Sequence, residues 1–138
     1  MIIRPMAPGE EEIVRDLCAQ IDGGKAIADR PEGWHLEHPT LVAVIDGQIA
    51  GYTTYHIDEA NRVMVLTETA VAEAHRGVGI ARALMARRLA IAAELDIAVV
   101  VGGAKDDNAP MRHLLDAFGF TAQSRDAGTD IMFYTKVL

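Results

Sequence analysis

Residues Thr69–Met85 read TAVAEAHRGVGIARALM, a β-prone run that bends at two glycines and continues into a helical pattern. The bend is Arg76-Gly77-Val78-Gly79-Ile80-Ala81. A helix start presents several backbone N–H groups and the positive end of a dipole, so it is a ready anion site. Gly77 and Gly79 let a phosphate approach the main chain with no Cβ in the way, and Arg76 and Arg82 add nearby cations. A pyrophosphate is the natural guest. The two common nucleotide fingerprints fit poorly: no Gly-Lys-Ser/Thr follows, and Gly77-x-Gly79 is followed by Arg82 rather than a third glycine. Alone, the G-x-G reads as a helix N-terminus that merely needs glycine.

Downstream, Ile80, Leu84, Ile91 and Leu95 fall on one helical face, with Arg82, Arg87 and Glu94 off it. The apolar run DIAVVV that follows predicts a strand buried on both faces. A strand, a helical crossover and a second strand imply a parallel pair with right-handed connection. NAPMRHLLDAF predicts a helix capped by Asp107 or Asn108 with Pro110 in its first turn. GFTAQ and IMFYTKV are strand candidates. Upstream, TLVAVIDGQIAGYTTYHI predicts a hairpin turning at Asp46-Gly47, and RVMVLTETAVA a further strand antiparallel to it. In EEEIVRDLCAQI, Ile13, Leu17 and Ile21 recur at helical spacing behind acidic first-turn residues. IIR opens the chain as a short strand. Residues 22–39, with three glycines and two prolines, read as a loop or short broken helix. The order predicts a mixed α/β (α+β) sheet with helices on its faces.

Composition bounds the chemistry. At 138 residues and 50% hydrophobic content, residues 1–138 are expected to form one domain. A single cysteine, Cys18, excludes an internal disulfide and a cysteine-rich zinc site, and suits a reducing, cytoplasmic compartment. No run approaches the ~20 apolar residues that cross a bilayer, and no secretory signal opens the chain. Thirteen Lys+Arg against twenty Asp+Glu give a net charge of −7, with no cationic stripe, and aromatics are 5%. Nucleic acid and membrane are therefore not expected partners. An acidic body suits a cationic small molecule.

The bend and its surroundings resemble the GNAT superfamily of acetyl-CoA-dependent N-acetyltransferases. Their signature, Q/R-x-x-G-x-G/A, is matched by Arg76-x-x-Gly79-x-Ala81, and the segment Asn108 to Gly119-Phe120 looks like the family's second motif. The resemblance covers about residues 1–137 and implies a mixed central sheet of about six to seven strands, with a parallel pair splayed around the cofactor. It implies acetyl-CoA as co-substrate, no metal, and direct acetyl transfer to a primary amine; the acidic, short chain makes a small cationic or amphipathic amine the expected acceptor. Backbone N–H groups of Gly77, Val78, Gly79, Ile80, Ala81 and Arg82 would cradle the pyrophosphate, with Arg76 beside them. The main chain of Ala70, Val71 and Ala72 would pair with the pantetheine arm. Asn108 would lie near the thiol end, or serve as a plain N-cap.

An alkylamine is mostly protonated at neutral pH, so the transfer needs a proton acceptor. Glu68, in the neighbourhood where the family often places a carboxylate, is the candidate base; the alternative is a Glu on a solvent-facing edge or one that only attracts a cationic acceptor. His56 is the second choice, and His75 reads as a surface or phosphate-side residue. The family often supplies an acid from a tyrosine in the second-motif helix, but that place holds Leu115. This departure keeps a second reading open, a non-catalytic acyl-CoA-binding or sensing module. Cys18 reads as a small core hydrophobe, and Arg87-Arg88 as a solvated helix face or a contact to a 3′-phosphate. The acceptor cavity is expected from residues 22–39, Tyr52 to His56 and the final strands. Dimers are common among proteins this chain resembles, so a homodimer is an open expectation.

Overall fold

A computed structural model describes residues 1–20 and 38–138. Its described elements are β1 Ile2–Pro5, α1 Glu11–Cys18, β2 Thr40–Ile45, β3 Gln48–Asp58, β4 Val63–Val71, α2 Ile80–Glu94, β5 Val99–Lys105, α3 Ala109–Ala117, β6 Thr121–Arg125 and β7 Ile131–Val137. The strands form a seven-stranded sheet in the order β1-β2-β3-β4-β5-β7-β6. Expected and observed architecture agree: a mixed α/β sheet with its parallel pair across the helical crossover. No helix among the described residues is long and apolar enough to cross a membrane.

The residues divide into two compact units, Met1–Tyr55 with Glu68–Arg88, and His56–Thr67 with Leu89–Leu138. In the first, β1 pairs antiparallel with β2, and β2 antiparallel with β3. The hairpin turns where the sequence predicts, at Asp46 and Gly47, with φ of 50° and 76°. Two successive left-handed residues match the twist of a tight hairpin, and Asp-Gly tolerates them best. Side chains alternate across these strands. Val42, Tyr52, Ala70 and Ala72 pack with Val14, Leu17 and Cys18 of α1. Gly51 belongs to the other face, where a Cβ would stand 3.1 Å from Ile80 Cγ2 of α2 and 3.0 Å from the Ala70 carbonyl. Only a glycine lets α2 approach β3 so closely.

The helical faces differ from the sequence expectation. Helix α1 buries Val14, Leu17 and Cys18, while Ile13 is 47% exposed; Ile21 lies outside the described residues. A four-residue step overshoots the 3.6-residue turn, so the stripe drifts off a strict i, i+4 line. In α2, Ile80, Leu84, Met85, Arg88 and Ala92 are buried, and Leu95, just past its end, is 55% exposed. The arginine pair is therefore split: Arg87 is exposed, and Arg88 is among the most deeply buried side chains.

In the second unit β4 pairs parallel with β5 over Val63–Val99, Met64–Val100 and Val65–Val101, whereas its later residues, Glu68 to Val71, belong to the first unit. Strand β7 lies between β5 and β6, antiparallel to both. Strand β5 is not buried on both sides throughout: Val100, Gly102 and Ala104 are buried and alternate with partly exposed neighbours. Helix α3 starts as predicted, with Asn108 accepting from the Met111 N–H at 3.2 Å and Pro110 in the first turn.

Candidate active site

Strand β4 leads through a short 3-10 turn, Glu73–His75, to the glycine bend. Gly77 and Gly79 have φ of +81° and +88°, and a Cβ at either would meet nothing within 4 Å. Glycine is needed here for backbone freedom rather than for want of space. The first ladder bond of α2 runs from the Ala83 N–H to the Gly79 carbonyl at 3.0 Å. The amides of Ile80, Ala81 and Arg82 precede it, at the positive end of a 15-residue helix with no acidic residue in its first turn. Val78 stands at the apex, 62% exposed. Arg76 folds back, its Nε donating to the Val71 carbonyl at 3.2 Å.

The end of β4 has a definite polarity. The Ala72 N–H donates to the Ala50 carbonyl at 2.8 Å, and the Ala72 carbonyl accepts from the His75 N–H at 2.9 Å. The Ala70 carbonyl oxygen lies on the β3 side too, 3.0 Å from where a Cβ of Gly51 would stand. Backbone groups alternate along a strand, so Val71 directs its N–H and carbonyl away from β3. Of the three residues expected to meet a pantetheine arm, Val71 alone turns its main-chain groups away from β3, and its carbonyl is held by Arg76.

Glu68 is not on a solvent-facing edge. It is 7% exposed, and Cys18 of α1 donates its thiol to Glu68 Oε2 at 3.4 Å. Its peptide groups are held by two threonines of β3: the Glu68 N–H donates to Thr54 Oγ1 at 2.9 Å, and Thr53 Oγ1 donates to the Glu68 carbonyl at 2.7 Å. Cys18 is thus a buried thiol, as expected, but also a partner of a carboxylate fifty positions away. On the other face Arg88 donates to the Thr54 carbonyl at 3.2 Å and to Thr69 Oγ1 at 3.3 Å. Burial pushes its guanidinium down to about 9, which leaves it cationic at neutral pH. Burial also raises the Tyr55 phenol, with the Arg87 charge acting against it.

A profile described as the acetyltransferase (GNAT) family matches residues 11–120. The chain belongs to this family. A streptothricin acetyltransferase of Streptomyces lavendulae is 33% identical over 100 residues, 72% of this chain. The chain spans 53% of that relative's length. Among solved structures, a GNAT acetyltransferase from Elizabethkingia anophelis with acetyl-CoA bound superposes with a TM-score of 0.81 at 20% identity, covering 99% of this chain and 97% of that one. An IAA acetyltransferase from Bacillus cereus gives 0.80 at 18% identity, with 99% of both chains covered. These likenesses show the GNAT fold.

His75 is half-buried, its Nδ1 without a hydrogen-bond partner among the described residues. His56 is exposed near the end of β3 and belongs, like Asn108, to the second unit. Asn108 is the N-cap of α3. Leu115, where GNAT members often carry tyrosine, is 1% exposed and packs beside Gly102. Residues 22–37 of the expected acceptor cavity lie outside the described residues.

Sequence reading missed the polar surroundings of Glu68. The signal that could have exposed them is Thr53-Thr54 on β3, two hydroxyls beside a strand that carries a carboxylate.

Proposed function

We propose that this protein is an acetyl-CoA-dependent N-acetyltransferase that acylates a small, cationic primary amine by direct transfer in a ternary complex. The observation that carries the reading is the pairing, within one compact unit, of an open glycine bend at a helix N-terminus with a buried carboxylate on the strand leading to it. Bound acetyl-CoA would supply the activated acyl group as a thioester. The amides of residues 77–82 would hold its diphosphate, and Val71, turned away from β3, would pair with its pantetheine arm. Glu68 would accept the proton that an alkylammonium must lose before its nitrogen can attack. The C–N bond forms, the C–S bond breaks, and coenzyme A leaves as a thiolate, a weak enough base (thiol pKa near 8.5) to take its proton from the acylated nitrogen or from solvent without a dedicated acid. That tolerance fits an acid position filled by Leu115. The streptothricin acetyltransferase relative is consistent with an amine of small-molecule size, and the net charge of −7 favours a cation.

Replacing Glu68 with Gln tests this reading in an assay of thiol release with a panel of small amines. Turnover should fall about 100-fold at neutral pH, with acetyl-CoA affinity unchanged. The deficit should narrow as pH rises toward the amine's own pKa, where the base is no longer needed. Wild-type turnover at every pH would place the base elsewhere. Buried Leu115 favours one second reading, an acyl-CoA-binding module without catalysis. Tight acetyl-CoA binding with no transfer to any amine would select it.

A further inference from the structure

We propose that Arg88 is a positioning residue that fixes the main chain of Glu68, and through it the carboxylate, from the opposite face of the sheet. The inference rests on the reading of Glu68 as the base. Arg88 is 1% exposed, yet its hydrogen-bond partners among the described residues are neutral: the Thr54 carbonyl, Thr69 Oγ1 and, at 3.8 Å, Met85 Sδ. Its Nε is buried with no hydrogen-bond partner among the described residues. A buried cation in such company costs stability, and apolar side chains of similar volume often serve a core better. Its contacts converge on one residue of β4.

The direction of every bond in that convergence is determined. A guanidinium only donates, so Thr69 Oγ1 accepts from Arg88. Thr53 spends its single hydroxyl proton on the Glu68 carbonyl at 2.7 Å. The 2.7 Å contact between Thr53 and Thr69 is therefore donated by Thr69. The chain Arg88, Thr69, Thr53, Glu68 C=O is polarised in one sense from end to end, and such chains strengthen cooperatively. A second limb leaves the same guanidinium: Nη1 holds the Thr54 carbonyl, and Thr54 Oγ1 receives the Glu68 N–H. Both peptide groups of Glu68 thus meet hydroxyls of β3, and one cation grips both limbs. Arg88 touches neither the carboxylate nor the reacting atoms.

A double-mutant cycle on the full chain tests this, using Arg88→Met, Glu68→Gln and their combination with acetyl-CoA and a turned-over amine. Arg88→Met should lower kcat about 10- to 100-fold, as a small misplacement of a catalytic group does. The KM for acetyl-CoA and the melting temperature should not worsen. In the Glu68→Gln background the same change should cost nothing further, because residues acting as one unit are not additive. Thr53→Val, which keeps the shape and removes the middle hydroxyl, should reproduce the pattern and carries the test if Arg88→Met misfolds. Wild-type kcat in Arg88→Met and Thr53→Val beside an impaired Glu68→Gln, or losses that multiply in the double mutant, would overturn the proposal. A readout independent of turnover separates it from the base assignment: hydrogen exchange at the Glu68 amide should quicken at least tenfold in Arg88→Met. If Glu68→Gln is fully active, the base assignment fails, and unchanged exchange then overturns the clamp as well.

Discussion

At Gly79, φ is +88° and open space surrounds the position of a Cβ, so any side chain there meets backbone strain and no clash. Gly79→Ala should cost about 1 kcal/mol of stability, the order of the left-handed penalty for an L-residue. Gly79→Glu separates strain from function. A carboxylate at a helix N-terminus is favourable to the dipole, which offsets part of the strain, yet it occupies the place proposed for the diphosphate. Acetyl-CoA affinity by titration calorimetry should fall at least 100-fold in Gly79→Glu while the protein stays folded. Unchanged affinity would remove the bend from the binding site. Gly51 is a glycine for the opposite reason, since its missing Cβ is what lets α2 sit against β3. The one motif residue type thus answers to two physical demands.

The entry to α1 is an element held by charge. Arg4 of β1 donates to both carboxylate oxygens of Glu10 at 2.8 and 2.7 Å, and Glu10 Oε1 accepts the Ala7 N–H at 2.6 Å. These bonds, the Arg4 contact foremost, hold the Glu10 carboxyl down to about 2. A lowered carboxyl contributes stability that is complete above its unfolded pKa, near 4.3, and is lost as pH falls toward the folded value. Thermal unfolding should therefore show the wild type more stable than Glu10→Gln at pH 6, with the gap closing between about pH 4 and pH 2 and narrowing in high salt. A gap independent of pH would mean that the ion pair does not anchor the helix. Elements of this kind were legible in the sequence as positions but not as partners. The hairpin turn, the α3 cap and the start of α2 were readable because local chemistry sets them. The burial of Arg88 was not. It lies four residues after Leu84 on the buried face, but arginine is ordinarily exposed, and the hydroxyls that accept it come from β3 and β4, which only the fold brings near. For the same reason Glu68 was identifiable as a candidate and its clamps were not.

For the whole molecule, the change from β to helical period on either side of residues 72–79 was enough to expect a parallel strand pair across a crossover, and β4 and β5 form it. The insertion of β7 between β5 and β6 was not readable, because edge order depends on long-range pairing rather than on local pattern. The proposed function rests on one physical claim, that the amides following Arg76 would receive a diphosphate and so aim a thioester toward Glu68. A crystal structure of the full chain with acetyl-CoA is the most direct test. The account predicts diphosphate oxygens within hydrogen-bonding distance, about 2.7–3.2 Å, of main-chain nitrogens in residues 77–82, and the pantetheine arm alongside Val71. Acetyl-CoA bound away from this bend, or clear density for it with those amides facing only solvent, would contradict the account.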